Sequence, residues 1–235
     1  MKGVILAGGS GSRLRPATDL YAKSAALVYD KPMIHYPLST LAEMGCDTAV
    51  IVGSPRGVGN FSEMIKSGAA YGLDVEYKVQ DEPGGVAQAL GRVANSVTGV
   101  FPLVLGDCYY DPAPPRQEEA TMYWVSPERY ENADHHSVWY PEIGIFEKPR
   151  LVKMGRGAIV SYFYDERVFD FIKTMKPAHG TGELEIVDIH NFYLQEGAQV
   201  LEYTGWFGDM GTPEGMLRVA NHLGQKALAQ TTHGA

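Results

Sequence analysis

Basic charge is what this chain of 235 residues is short of: 20 lysines and arginines face 28 aspartates and glutamates, for a net charge of -8. A nucleic-acid or anionic-membrane binder needs a cationic face, so the balance argues against both partners, and any phosphate ligand must be met by a few local cations. Cysteine is almost absent. Cys46 and Cys108 are too few for a disulfide framework and too far apart in sequence for a metal knuckle, which leaves two reduced, partly buried thiols. Long apolar runs are missing too. Nothing approaches the roughly 20 apolar residues of a membrane span, and no cationic segment precedes the first short apolar run. A soluble, cytoplasmic protein is the expectation, and with no repeat, low-complexity tract or clear linker, so is one continuous domain over 1–235.

What is present is a 45% hydrophobic content arranged in alternating strand and helix patterns. Val4–Leu6, Thr48–Val52, Asp74–Val79 and Phe101–Leu105 read as strands, with helices predicted over Pro32–Met44, Phe61–Ser67 and Gly85–Asn95 between them. Apolar strands without alternation, separated by helices, imply a parallel sheet covered on both faces. The fold class is α/β, doubly wound, with a ligand expected beyond the carboxyl ends of the strands. After Asp107 the rhythm loosens. Residues 111–142 read as one strand, Thr121–Val125, among loops; strands follow at Ile143–Phe146, Ala158–Tyr164 and Gln199–Tyr203, and helices at Val168–Met175, Leu184–Gln195 and Pro213–Ala229.

The first strand stops at a glycine-rich turn, Gly8, Gly9 and Gly11, followed by Arg13, Arg15 and Lys23. Glycines let consecutive N–H groups converge on phosphate oxygens, and the cations balance the charge. Two standard phosphate loops are excluded. A Walker A loop needs Lys-Ser/Thr after its last glycine, where this chain has Ser12-Arg13, and the dinucleotide fingerprint lacks its third glycine. His135-His136, near Asp134 and Glu142, invite a zinc reading, but no third ligand stands at helical or knuckle spacing, so a solvated loop is expected there. The aromatics Tyr109, Tyr110, Tyr123, Trp124, Trp139 and Tyr140 read as core packing rather than a stacking platform.

The run LAGGSGSRLRP (Leu6–Pro16) resembles the L-A-G-G-x-G-S/T-R-L-x-P signature of the sugar-1-phosphate nucleotidyltransferases. The resemblance continues through Lys23, Val28–Leu41, VQDEPGGVAQA (Val79–Ala89), VLGD (Val104–Asp107), PERY (Pro127–Tyr130), EKP (Glu147–Pro149), YFYD (Tyr162–Asp165), GELEIVD (Gly182–Asp188) and GDMGT (Gly208–Thr212). It covers nearly the whole chain and is nearest to the glucose-1-phosphate thymidylyltransferase branch. It implies a Rossmann-like mixed sheet of the nucleotide-diphospho-sugar transferase, glycosyltransferase-A-like kind, with a nucleotide-binding half to about residue 110 and a sugar-phosphate-binding half after it.

The resemblance also implies roles. The backbone of Leu6, Ala7, Gly8, Gly9 and Gly11 would hold a nucleoside triphosphate, with Arg13 on its β and γ phosphates and Lys23 beside the transferring α-phosphoryl. Gln80 would read a pyrimidine through the donor and acceptor of its carboxamide, with Pro83 and Gly85 beside the base. Asp107 and Asp209 would hold Mg²⁺. Glu147 would bind sugar hydroxyls, Lys148 the sugar phosphate, and Glu183 would orient the sugar. Such a set suits attack of a sugar 1-phosphate on a nucleotide α-phosphorus with loss of pyrophosphate; dTTP and glucose 1-phosphate are the leading substrates, and UTP is also open. The plainer readings of these residues are a helix cap for Asp107, a turn for Asp209, a surface ion pair for Glu147-Lys148 and a first-turn helix acid for Glu183.

Several positions depart from the family pattern. Thr181 stands where an arginine usually precedes Gly-Glu-Leu-Glu, Ser24-Ala25-Ala26-Leu27 replaces Gln-Leu-Leu-Pro, and Glu131 and Ile159–Tyr162 replace a glycine and a sugar-lining strand. These changes keep two alternatives open: a nucleotide or nucleotide-sugar binding homologue with weakened catalysis, or a transferase for a non-glucose or non-sugar phosphate. The chain is also shorter than the long members, whose C-terminal helices carry a regulatory site and part of the oligomer contact, so feedback at such a site is not expected. A homo-oligomer stays open.

Overall fold

The computed structural model describes residues 1–126, 129, 136–149 and 155–233. In chain order the elements are β1 (Lys2–Ala7), a 3-10 turn at Ser12–Leu14, α1 (Ala17–Leu20), a second such turn at Lys23–Ala25, β2 (Leu27–Val28), β3 (Lys31–Pro32), α2 (His35–Glu43), β4 (Thr48–Gly53), α3 (Pro55–Ile65), β5 (Asp74–Val79), α4 (Val86–Gly91), β6 (Phe101–Leu105) and β7 (Cys108–Asp111). There follow β8 (Thr121–Val125), β9 (Ser137–Tyr140), β10 (Gly144–Glu147), β11 (Gly157–Tyr164), α5 (Arg167–Thr174), α6 (Ile186–Gln195), β12 (Gln199–Glu202), β13 (Trp206–Asp209) and α7 (Pro213–His233).

One large sheet runs β10-β9-β11-β6-β1-β4-β5, with β8 and β12 attached through β11. Four neighbouring strands, β6-β1-β4-β5, are parallel, as strands separated by helices require. The parallel expectation does not extend past β6: β11 pairs antiparallel to it, β8 and β9 pair antiparallel to β11, and β10 pairs antiparallel to β9. The sheet is therefore mixed. A ribbon of β7 and β13, both missed by the sequence reading, lies apart from it. No helix among the described residues is long and apolar enough to cross a membrane.

Of the four parallel strands, β1, β4 and β6 are buried on both faces, while β5 is the partly exposed edge of the sheet. Along β1, Ile5 packs into one core with Ile34, Leu38, Ile51 and Phe61, while Val4 and Leu6 pack into the other with Val50, Leu90, Val93 and Ile189. Each such side chain contributes about 1.5–3 kcal/mol on burial, so the central strands hold their register firmly. Of the aromatics read as core, Tyr109, Tyr110, Tyr123 and Trp124 are buried. Cys46 and Cys108 are free and buried, and burial pushes the Cys46 thiol up to about 11.

Boundary differences have local causes. The helix expected from Pro32 begins at His35, because Leu27-Val28 pair back onto Lys31-Pro32 as a hairpin. The helix expected from Phe61 begins at Pro55. There the Ser54 hydroxyl caps the Gly57 N–H at 3.1 Å with proline at the first helical position, so the apparent turn set Gly53-Ser54-Pro55 is a helix start. The helix expected from Leu184 begins at Ile186, because the Leu184 carbonyl, which a helix starting there would turn to the Asp188 N–H, accepts instead from the Ala87 N–H at 3.1 Å.

Candidate active site

The parallel register brings four strand ends into line: Ala7 lies opposite Gly53, Gly53 opposite Val79, and Leu6 opposite Leu105. The residues just beyond, Gly8, Ser54, Gln80 and Gly106-Asp107, are thus neighbours although about a hundred positions separate the first from the last. Two hollows open there. One, of about 250 Å³, is lined by Gly8, Gly9, Ser10, Thr18, Lys23 and Gln80 among others. Its neighbour, of about 230 Å³, shares the glycines, Gln80 and Pro83 and adds Leu6, Gly85, Asp107 and Glu183.

Gly11 closes the glycine loop at φ 66°, a left-handed backbone that disfavours any Cβ. A Cβ there would also lie 2.7 Å from the Thr18 methyl, and the Thr18 hydroxyl donates to the Gly11 carbonyl at 2.8 Å. Arg13 sits exposed on the following 3-10 turn, near enough to Lys23 for its charge to oppose protonation of that amine. Lys23 is 12% exposed and forms an ion pair with Asp107 Oδ2. Burial lowers the Lys23 pKa, but Asp107 and then Asp209 outweigh it and raise the net value.

Asp107 caps no helix; it joins β6 to β7, and its carbonyl accepts from Met210 N–H at 2.8 Å. Pairing of β13 with β7 sets Asp209 opposite Cys108 and so beside Asp107. A Cβ built on Gly211 would lie 2.8 Å from Asp209 Oδ1, 2.8 Å from Lys23 Nζ and 3.2 Å from Asp107 Oδ2, which shows how closely the two carboxylates and the ammonium converge. Asp209 is 7% exposed. Burial pushes its carboxyl up, yet His136, Lys23 and the Gly211 N–H, donating at 2.6 Å, outweigh that and hold it well below the usual carboxylate range. His136, expected in a solvated loop, is instead packed edge-on against Phe207 with Nε2 3.5 Å from Asp209 Oδ2. His135, most of the Pro127–Tyr130 motif, Glu131, Arg150 and Lys153 lie outside the described residues.

Gln80 is buried in the wall between the hollows. Its Nε2 donates to the Gly85 carbonyl at 3.2 Å and to Gln88 Oε1 at 2.7 Å, so both amide hydrogens are engaged and only Oε1, facing Gly8, is left toward the cleft. Gln88 was missed by the sequence reading, although it is the second glutamine of the VQDEPGGVAQA run. Gly85 has φ 93°, and a Cβ there would collide with the Leu184 carbonyl. That contact sets Glu183 beside Gly85, ahead of α6 rather than in its first turn.

Glu147 and Lys148 stand at the end of β10. Glu147 Oε2 accepts from the Ser137 hydroxyl at 2.6 Å, and Oε1 lies 3.0 Å from Lys148 Nζ, whose side chain is 62% exposed. Glu147 and Asp107 both face buried Tyr162: burial raises the phenol pKa most, and Cys108, Glu147 and Asp107 raise it further. Thr181 turns its hydroxyl to Glu185 Oε1 at 3.2 Å.

Taken together, the doubly wound sheet and the glycine loop at its strand ends define a nucleotidyl transferase, and a family model of that description, "Nucleotidyl transferase", matches residues 2–117. The glucose-1-phosphate thymidylyltransferase of Xanthomonas campestris pv. campestris (strain B100) is 38% identical, covering 94% of this chain and 80% of its own length. Its counterpart from Neisseria meningitidis serogroup A is 34% identical over 99% and 86%. A Bacillus anthracis crystal structure, provisionally designated a glucose-1-phosphate thymidylyltransferase and in complex with a sucrose, matches with TM-score 0.84 and 34% identity over 95% of this chain and 94% of its own. A UDP-glucose pyrophosphorylase complexed with UDP-glucose shares the fold at TM-score 0.80 and 19% identity, over 96% and 98% of the two chains. The chain belongs to the family of the glucose-1-phosphate thymidylyltransferases.

Proposed function

We propose that this protein transfers a nucleotidyl group from a pyrimidine nucleoside triphosphate, dTTP foremost and UTP second, to a hexose 1-phosphate, glucose 1-phosphate foremost, releasing pyrophosphate. The observation that carries the reading is the convergence of Lys23, Asp107 and Asp209 beside the glycine loop. In this reading the Leu6–Gly11 backbone holds the triphosphate, Arg13 meets its outer phosphates, and Gln80, with Pro83 and Gly85, flanks the base. Gln88 and the Gly85 carbonyl fix the Gln80 carboxamide, so its Oε1 is the acceptor offered to a pyrimidine N3–H. Glu147, Lys148 and Glu183 take the sugar phosphate.

A phosphate oxygen of the sugar 1-phosphate, already anionic, attacks the α-phosphorus; the new O–P bond forms as the bond to the β-phosphate oxygen breaks, and the electron pair leaves with pyrophosphate. No proton has to move, so no general base is needed. Catalysis then reduces to alignment and charge neutralisation by Lys23, Arg13 and Lys148. Two converging carboxylates, one buried and held as an anion, suit Mg²⁺, a hard cation that takes one or two carboxylates together with phosphate oxygens and water. When bound between Asp107 and Asp209, Mg²⁺ would neutralise charge on the transferring phosphoryl group.

Pyrophosphate release measured over dTTP, UTP, CTP and ATP against a panel of sugar 1-phosphates tests the proposal, with dTTP and glucose 1-phosphate expected to turn over fastest. Nucleotide binding without turnover for any pair would sink it. That result would favour a nucleotide-binding homologue, a reading supported by Thr181, which supplies no cation and is engaged with Glu185.

A further inference from the structure

We propose that His136 and Ser137 are positioning residues that brace the two sides of the site: His136 sets the Asp209 carboxylate, and Ser137 sets the Glu147 carboxylate. The inference rests on the functional reading above, in which Asp209 serves the metal and Glu147 the sugar.

Asp209 has its two oxygens separately assigned. Oδ1 accepts from the Gly211 N–H at 2.6 Å, and Oδ2 faces His136 Nε2 at 3.5 Å. A carboxylate can only accept, so the ring N–H is the donor of that contact. At 3.5 Å it is at the outer limit of a hydrogen bond, but the side chains are 10% and 9% exposed, where an oriented charge contact is screened little. Phe207, two residues before Asp209 on β13, packs edge-on against the imidazole at 5.8 Å between ring centres and fixes where the nitrogen points. Together the two contacts stop the carboxylate from rotating about its Cβ–Cγ bond.

The same two residues reach the sugar side. Ser137 is 5% exposed, and its hydroxyl donates to Glu147 Oε2 at 2.6 Å. The His136 carbonyl accepts from the Lys148 N–H at 3.1 Å. Lys148 has φ 41°, a left-handed backbone that a residue with a side chain adopts at a cost, so the bond secures a conformation lysine does not choose by itself. One dipeptide at the start of β9 thus touches the carboxylate at the end of β13 and both candidate sugar-phosphate residues at the end of β10. A shift of β9 would move both groups at once.

The test reads metal affinity directly. Mn²⁺ binding to the complex with dTTP is followed by electron paramagnetic resonance for wild type, His136→Phe, which keeps the ring contact and removes the donor, and His136→Gln, which restores a donor. His136→Phe should weaken Mn²⁺ binding at least about tenfold, the lower end of what loss of a group orienting a metal ligand costs, with His136→Gln close to wild type. Ser137→Ala should raise the KM for glucose 1-phosphate several-fold and leave Mn²⁺ affinity unchanged. Urea midpoints verify folding, and if His136→Phe does not fold, His136→Asn, which withdraws the donor from Asp209, takes its place with the same expectation. Wild-type Mn²⁺ affinity in the folded donor-less variant overturns the inference, provided Asp209→Asn loses the metal. If Asp209→Asn binds Mn²⁺ as wild type does, the metal assignment itself falls, and this inference with it.

Discussion

Acidification from pH 7.5 to 5.0 should destabilise the protein by about 2 kcal/mol through one buried residue, His190, because its pKa drops from 6.5 in the unfolded chain to about 3 in the fold. The imidazole is fully buried on α6, stacked on Tyr162 at 4.8 Å and 24°, and among the described residues neither ring nitrogen has a hydrogen-bond partner. Burial without a partner penalises the charged form, which is the physical origin of the shift. The sign follows from proton counting. Below pH 6.5 the unfolded chain binds a proton that the folded chain refuses, so stability falls as pH falls, from the unfolded pKa down to the folded one. At pH 5 the unfolded histidine is about 1.5 units below its pKa, at about 1.36 kcal/mol per unit, and the folded value scarcely enters while it stays below 4. Urea unfolding of wild type and His190→Phe at both pH values isolates this residue, since other titrations cancel in the double difference. The variant should lose about 2 kcal/mol less stability between the two pH values. Equal pH dependence in both proteins would refute the reasoning and mean that the imidazole is solvated or partnered in the fold.

Arg13→Ala and Asp107→Asn should each leave the protein folded, as a cooperative urea transition shows, while lowering kcat by on the order of 10²–10³, since in the proposed reaction both groups act on developing phosphoryl charge; near-normal turnover in either would show the sites to be misassigned. Gly11→Ala forces a Cβ onto the Thr18 methyl at a left-handed φ, so denaturation should show a loss of about 1–3 kcal/mol, with a raised KM for the nucleotide. Thr181→Arg should lower the KM for the sugar 1-phosphate by adding a cation; an unchanged KM would mean that the phosphate is already fully neutralised.

The sequence was most legible where physics is local or two-sided. Strands β1, β4 and β6 are buried on both faces, so they appear as nearly unbroken apolar runs, and Phe101–Leu105 is legible to the residue; Asp74–Val79, the partly exposed edge strand, is legible to the residue as well. The glycine loop and Asp107 adjoin those runs and inherited their legibility. Short elements were harder: β7, β9 and β13 are 4 residues each, too few to show a period, and they fall in what reads as loops. Turn chemistry misled at Ser54-Pro55, where a cap and first-turn proline looked like a stop signal.

By itself, then, the sequence determined the parallel strands, the glycine-rich loop at their carboxyl ends and, through its blocks of motif, the family. Tertiary structure alone decided the partnerships. Asp209 stands beside Asp107 only because β13 pairs with β7 across some hundred residues. Gln80 has its amide hydrogens spent on Gly85 and Gln88, and His136, read as solvated, reaches Asp209. His190 becomes a buried base, with no hydrogen-bond partner among the described residues, under the rings of Tyr162 and Tyr164. The physical reason is the range of the forces involved: apolar periodicity records which face of a segment is buried, whereas a carboxylate's neighbours and a ring's burial depend on chain brought from elsewhere, and no local pattern encodes them.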